Sequence, residues 1–196
     1  MTRLVLASSS PYRRALLCRL GLPFTTKASH IDESRLPNES ATAMVQRLAR
    51  AKARAVAEPG CLVIGSDQCA VQGDRIVGKP GSHAEAVAQL RHWSGGSVTF
   101  LTSLCLLDYD RDHIQVDVVP YMVHFRRLSD AEIESYLRTE QPYDCAGSFK
   151  SEGLGIALFR GMEGEDPNAL VGLPLIRLCA MLAEAGYPVL NLGDDT

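Results

Sequence analysis

Residues 3–23, RLVLASSSPYRRALLCRLGLP, constrain the fold more than any other stretch of this chain. Arg3 to Ala7 form a short apolar run that reads as a buried strand. Ser10 follows as a helix N-cap, and Pro11 takes the first helical position, where its missing N–H costs nothing. Gly21 and Pro23 then stop the helix near Leu20. A buried strand passing through a tight turn into a helix striped by Leu16, Leu17 and Leu20 belongs in a layered α/β arrangement. The same stretch carries an electrostatic oddity. Arg13 and Arg14 occupy the first turn, where the positive end of a helix disfavours cations. An anion supplied from outside the helix would remove that penalty.

The remaining chain alternates in the same manner. SATAMVQRLARAKARAVA, residues 40–57, is an amphipathic helix on Met44, Val45, Leu48, Ala51 and Val56. Its Arg47, Arg50 and Arg54 share one stripe, from which helical rotation sets Lys52 apart. CLVIGSDQ reads as a buried strand ending at Gly65, with Ser66, Asp67 and Gln68 at or just past its end, where open α/β sheets hold ligands. AVQGDRIVGKP predicts a hairpin turning at Gly73-Asp74 and delivering Lys79. A helix from Ser82 to Trp93 closes at Gly95-Gly96, and residues 97–125 predict two or three strands, with Pro120 interrupting the second. Ser129 and Glu132 suit a capping box for a helix ending near Arg138, and Pro174 to Ala185 predicts the last helix. No repeat or linker divides residues 1–196, which read as a single domain.

Charge and cysteines narrow the function classes. A net charge of −3 argues against a surface built for nucleic acid, so any anion site is local. No apolar run is long enough to span a bilayer and no signal peptide precedes the first strand, which predicts a cytoplasmic protein without a membrane partner. The six cysteines are dispersed without a CxxC pair and read as free, buried thiols. GxSxG, Walker A, GxGxxG and HExxH patterns are absent.

The polar residues left over share a theme. Ser8 with its neighbours, Arg13, Arg14, Lys52 and Lys79 offer hydroxyls and cations for phosphate, whereas Asp67 and Glu33 are carboxylates able to hold metal or activate water. Glu152 lies in a glycine-flanked loop that lets backbone approach a ligand. Each also has a plainer explanation: a solvated cap for the arginines, an Asx turn for Asp67, a hairpin end for Lys79, an acidic loop for Glu33.

Taken together and in order, LASSSPYRR, RLARAKA, IGSDQ, GKP, CAGSFKSEG and VGLPL resemble the Maf family of nucleoside triphosphate pyrophosphatases over nearly the whole chain. The resemblance implies a mixed sheet with flanking helices and two lobes around a cleft, similar to inosine triphosphate pyrophosphatases. It also implies hydrolysis of the α–β phosphoanhydride bond with a divalent cation, Mg, Mn or Co. On it, Asp67 is the general base and, with Glu33, a metal ligand, while Ser8, Arg13, Arg14, Lys52 and Lys79 hold the triphosphate. SDQ and FKSEG resemble the branch that takes 7-methyl-GTP; members acting on dTTP and UTP usually carry Thr after the Asp and lack the Lys-Ser-Glu run. Tyr12, Gln68 and Glu152 then become specificity positions, because an aromatic face and a carboxylate suit a cationic base. This branch commonly has Trp where this chain has Tyr12. The alternatives are a pyrophosphatase for dTTP, UTP or other nucleotides and a non-hydrolytic nucleotide-binding regulator; a homodimer is left open.

Overall fold

The computed structural model describes residues 2–73 and 75–190. These build β1 (Arg3–Leu6), α1 (Pro11–Cys18), β2 (Phe24–Thr26), α2 (Ala41–Ala55), β3 (Cys61–Gln72), β4 (Arg75–Val77), α3 (His83–Trp93) and β5 (Ser97–Asp108). There follow β6 (His113–Phe125), α4 (Asp130–Glu140), β7 (Phe159–Gly164), α5 (Asn168–Val171) and α6 (Leu175–Glu184). The strands form one sheet in the order β2-β1-β3-β5-β6-β7, with β4 paired to the far end of β3. β1 runs parallel to β2 and β3, and every other pairing is antiparallel. The expected mixed α/β sheet with flanking helices is therefore present.

Local chemistry sets the helix starts. Ser10, Ser40, Ser82 and Ser129 each accept the backbone N–H three residues on, and Ser129 with Glu132 completes the capping box. The strands alternate between two cores, as the period of two requires. Leu62 and Ile64 of β3 join Leu4, Leu6, Leu104 and Leu106 beneath α1 and α6, while Cys61 and Val63 join Val5, Cys105, Ala49 and Ala53 beneath α2. A third cluster, beyond the middle of β3, packs α3 and α4 on Phe100, Phe125, Phe149 and Trp93. Gly65 fixes the approach of α2: a Cβ there would press into the Ala49 carbonyl oxygen. Helix backbone thus lies directly on strand backbone.

Several elements depart from the sequence reading. β3 does not end at Gly65 but continues to Gln72, because β5 pairs with it without a break from Leu62–Asp108 to Val71–Thr99. What ends there is its parallel partner, since β1 reaches only as far as Ile64. Pro120 does not interrupt β6; it sits opposite Leu101, just beyond the stretch covered by β7, where the other edge of the strand needs no N–H. β2, β7 and α5 are too short or too polar to announce themselves. Gly73 turns between β3 and β4 with φ +56°, and Asp74, the other residue expected in that turn, lies outside the described residues.

Candidate active site

β1 leaves the flank of β3 at Ile64, and β4 takes it up again at Ala70. Between them residues 65–69 have no strand partner on that side, and a cleft of about 690 Å³ opens there. It is lined by the turn from Ser8 to Arg13 and by Glu33, Lys52, Asp67, Gln68, Lys79, Glu152 and Leu170 to Gly172. The pleat divides SDQ between the two faces of the sheet. Asp67 points toward α2, and Ser66 and Gln68 point toward the segment around α5. The cleft therefore straddles the exposed edge of β3.

Lys52 is the centre of the α2 side. Its rotation away from the arginine stripe buries it, 6% exposed, with Nζ 2.6 Å from Asp67 Oδ1 and 2.9 Å from Glu33 Oε1. Arg47 of the stripe instead binds Glu39, and Arg50 and Arg54 are exposed. Burial raises the pKa of Asp67, opposed by the charges of Lys52 and Arg13. Glu33 remains exposed apart from its lysine contact, while its neighbour Asp32 turns back to accept the Ser34 N–H at 2.8 Å. Two carboxylates thus converge on one ammonium, and among the described residues no group of three or more His, Cys, Asp or Glu side chains is set to hold a metal. Two oxygen donors match a hard cation that completes its shell with water and ligand phosphate, and do not match a closed zinc site.

Arg13 is held from the opposite face. Its Nε donates to the Gly172 carbonyl at 2.8 Å, and the buried Ser66 hydroxyl donates to the same oxygen at 2.8 Å. Among the described residues the terminal nitrogens of the guanidinium have no hydrogen-bond partner and form a fork. Desolvation pulls the Arg13 pKa down, with Asp67 and Glu33 opposing. Gly172 has φ +109°, so an ordinary side chain would be strained there, and a Cβ would meet Arg13 Nε at 3.3 Å. Ser8, nearly buried, accepts the Ser10 N–H at 3.1 Å beside this pair. Arg14, one helical step from Arg13, is exposed and lines an adjoining groove with Ser8, Ser9, Ser10 and Pro11 rather than the cleft.

The remaining wall is more open. Lys79 and Glu152 line it from exposed loops, and Tyr12 is half-buried. Partial burial, with Cys145 nearby, pushes the Tyr12 hydroxyl above its ordinary value, so the ring is a neutral phenol at physiological pH. The Cys145 thiol is pushed up to about 11, chiefly by burial, and is likewise protonated. The loop carrying Glu152 is anchored at both ends. Phe149 packs edge-on against Phe100, Phe125 and Phe159, and the Lys150 N–H donates to Tyr136 Oη at 3.1 Å. Lys150 Nζ and the Leu154 N–H both bind Glu140.

The cleft therefore gathers Ser8, Tyr12, Arg13, Glu33, Lys52, Asp67, Gln68, Lys79 and Glu152 from separate parts of the chain. Sequence reasoning placed Ser66 at the ligand end of its strand without a partner, and missed Thr102 and the Gly172 carbonyl. VGLPL marks the glycine, but nothing in the sequence pairs it with Arg13, and Thr102 is identified only by its position opposite Gln68 in the sheet. The cysteines are free, as expected, though only Cys61, Cys69 and Cys105 are buried. No helix among the described residues is long and apolar enough to cross a membrane.

Comparison with known proteins agrees with the motifs. The model of the Maf-like protein family matches residues 3–185. A 7-methyl-GTP pyrophosphatase of Nitrosococcus oceani is 57% identical over 189 residues, covering 95% of each chain. One from Pseudomonas fluorescens strain Pf-5 is 58% identical over 95% of this chain and 98% of its own. One from Alkalilimnicola ehrlichii is 58% identical over 96% of each. Among solved structures, a HAM1 protein from Coxiella burnetii superposes with a TM-score of 0.52 at 14% identity, over 94% of this chain and 100% of the other, a likeness of fold. The chain belongs to the Maf family.

Proposed function

We propose that this Maf-family chain is a nucleoside triphosphate pyrophosphatase that converts 7-methyl-GTP to the monophosphate and pyrophosphate by hydrolysing the α–β phosphoanhydride bond. The observation that carries the reading is the contact of Lys52 with Asp67 at 2.6 Å in a cleft also lined by Arg13, Lys79 and Glu33. A site meant only to bind a triphosphate gains nothing from a desolvated carboxylate, which repels the anion unless a metal intervenes, whereas hydrolysis gains from it a base for the attacking water.

In this reading Asp67 orients the attacking water and accepts its proton, and burial makes it a stronger base than a solvated carboxylate. Lys52, between Asp67 and Glu33, keeps the carboxylate in place and offers positive charge to the phosphate under attack. Arg13, tethered through Nε, presents its fork to phosphate oxygens, with Ser8 and Lys79 completing the grip. Arg14 reaches only phosphate that overlaps the adjoining groove. Asp67 and Glu33 would hold a divalent cation of the Mg, Mn or Co kind, which when bound neutralises developing phosphate charge. Tyr12 stacks on the base, with Gln68 and Glu152 at its edge; a methylated guanine is cationic and suits both an aromatic face and a carboxylate. Free nucleotide rather than nucleic acid fits the net charge of −3, and a cytoplasmic setting fits thiols free of disulfides among the described residues.

Pyrophosphate release from 7-methyl-GTP, GTP, dTTP and UTP in the presence of Mg, Mn or Co tests the reading. The highest kcat/KM is expected for 7-methyl-GTP. Faster turnover of dTTP or UTP would move the chain to another branch of its family, and binding without any pyrophosphate would make it a regulator.

A further inference from the structure

The Gln68 amide has a forced orientation. Its Nε2 faces the Ala169 carbonyl at 2.8 Å, the Leu170 carbonyl at 3.1 Å and Thr102 Oγ1 at 2.9 Å. The two carbonyls can only accept. Thr102 spends its own hydroxyl proton on Ala169 O at 2.8 Å, so its oxygen is an acceptor toward Gln68 as well. A flipped amide would set its oxygen against the two carbonyls and, unless Thr102 gave up its bond to Ala169 O, against the hydroxyl oxygen as well. Nε2 is therefore consumed by protein, and Gln68, which lines the cleft, has its Oε1 free of any donor among the described residues.

We propose that Thr102 is a positioning residue for base selection, holding Gln68 so that the cleft presents a hydrogen-bond acceptor and favours a base with a donor edge. This rests on the pyrophosphatase reading above. Guanine offers N1–H and an exocyclic amino group at its pairing edge, and a positive charge on the ring strengthens both donors. Uracil and thymine offer one N–H between two carbonyl oxygens, which a fixed acceptor repels. A fully buried hydroxyl directly opposite Gln68 in the β3–β5 pairing is well placed for such a lock. Thr102 is buried and does not line the cleft. It acts through the side chain across from it and through the Ala169 carbonyl.

Substitution separates this role from bulk packing. Thr102→Val keeps the shape, but a methyl group cannot sit 2.9 Å from an amide nitrogen, so Gln68 must move and Ala169 O loses a donor. Thr102→Ser keeps the hydroxyl. Purified wild type, Thr102→Val, Thr102→Ala and Thr102→Ser are to be compared by kcat/KM for 7-methyl-GTP and for UTP, with thermal unfolding in parallel. The expected result is a fall of about tenfold in the 7-methyl-GTP to UTP ratio for Val, a smaller fall for Ala and a wild-type ratio for Ser. An unchanged ratio in a folded Val or Ala variant overturns the proposal, as does an equal fall in Ser; should Val not fold, Ala decides. Failure of wild type to turn over 7-methyl-GTP would instead refute the parent reading.

Discussion

The two ends of the cleft are built differently. At one end Lys52, Asp67 and Ser66 stand on α2 and β3, the two lysine and aspartate side chains less than a tenth exposed, with Arg13 pinned across the sheet to a backbone carbonyl. At the other, Lys79 and Glu152 sit in exposed loops and Tyr12 is half-buried. On the proposed reading the first end holds groups that any triphosphate would use, and the second, Lys79 apart, holds those that distinguish one base from another. Rigid elements fix reacting geometry, and loops accept substitution at little cost to the core. Gln68 belongs to both, since it stands on β3 beside Asp67 but is assigned to the base. Its hydrogen bonds to Thr102 and the 169–170 backbone give it the rigidity of the first end.

Changes at the rigid end should lower turnover of every nucleotide alike. Asp67→Asn is expected to reduce kcat by about 10²- to 10⁴-fold for 7-methyl-GTP and UTP together, with the protein still folded. Selective loss for one nucleotide in pyrophosphate-release assays would break the division. The acidic limb of kcat/KM should follow the Asp67 carboxyl, whose pKa burial raises and a bound cation would draw down. The protonated acid cannot accept a proton from water, so activity rises with pH through that limb, and Asp67→Asn should abolish the limb.

Gly65→Ala comes next. It forces α2 away from β3 and should cost roughly 1–3 kcal/mol in denaturant unfolding, with activity falling as Lys52 is drawn from Asp67. Full stability in that variant would show that the helix can move without cost. Substitutions at the open end should be smaller and selective. Glu152→Gln is expected to lower the preference for 7-methyl-GTP over GTP about fivefold, since an exposed carboxylate is weakened by solvent. Tyr12→Trp should raise the same preference about two- to fivefold, indole being the better platform for a cationic ring. Either variant changing kcat for all nucleotides equally would place it with the phosphate groups instead.

Much of this was legible in the chain itself, because the signals concerned are local. Ser caps, Pro11 and short apolar runs state where helices begin and strands lie, and helical rotation alone separates Lys52 from Arg47, Arg50 and Arg54. The same rotation separates Arg13 from Arg14, yet the sequence does not tell which of the two faces the cleft. The reading of β3 shows the limit well. An apolar run followed by Gly-Ser-Asp looks like a strand end, and the polar residues after it do lie at an opening, but the opening exists because β1 stops at Leu6.

Sequence by itself determined the order of the longer helices and strands, though not β2, β7 or α5, together with the separation of Lys52 from its neighbours and the set of residues with phosphate chemistry, all properties of neighbouring residues or of motifs kept in order. Only the tertiary structure decided that Gly172, 159 positions from Arg13, supplies the oxygen that holds it, and that Thr102, 34 positions from Gln68, joins the Ala169 and Leu170 carbonyls in holding the Gln68 amide nitrogen. The physical reason is that hydrogen-bond partners are chosen by strand register and by close approach of distant backbone. Neither is written in the spacing of residues along the chain.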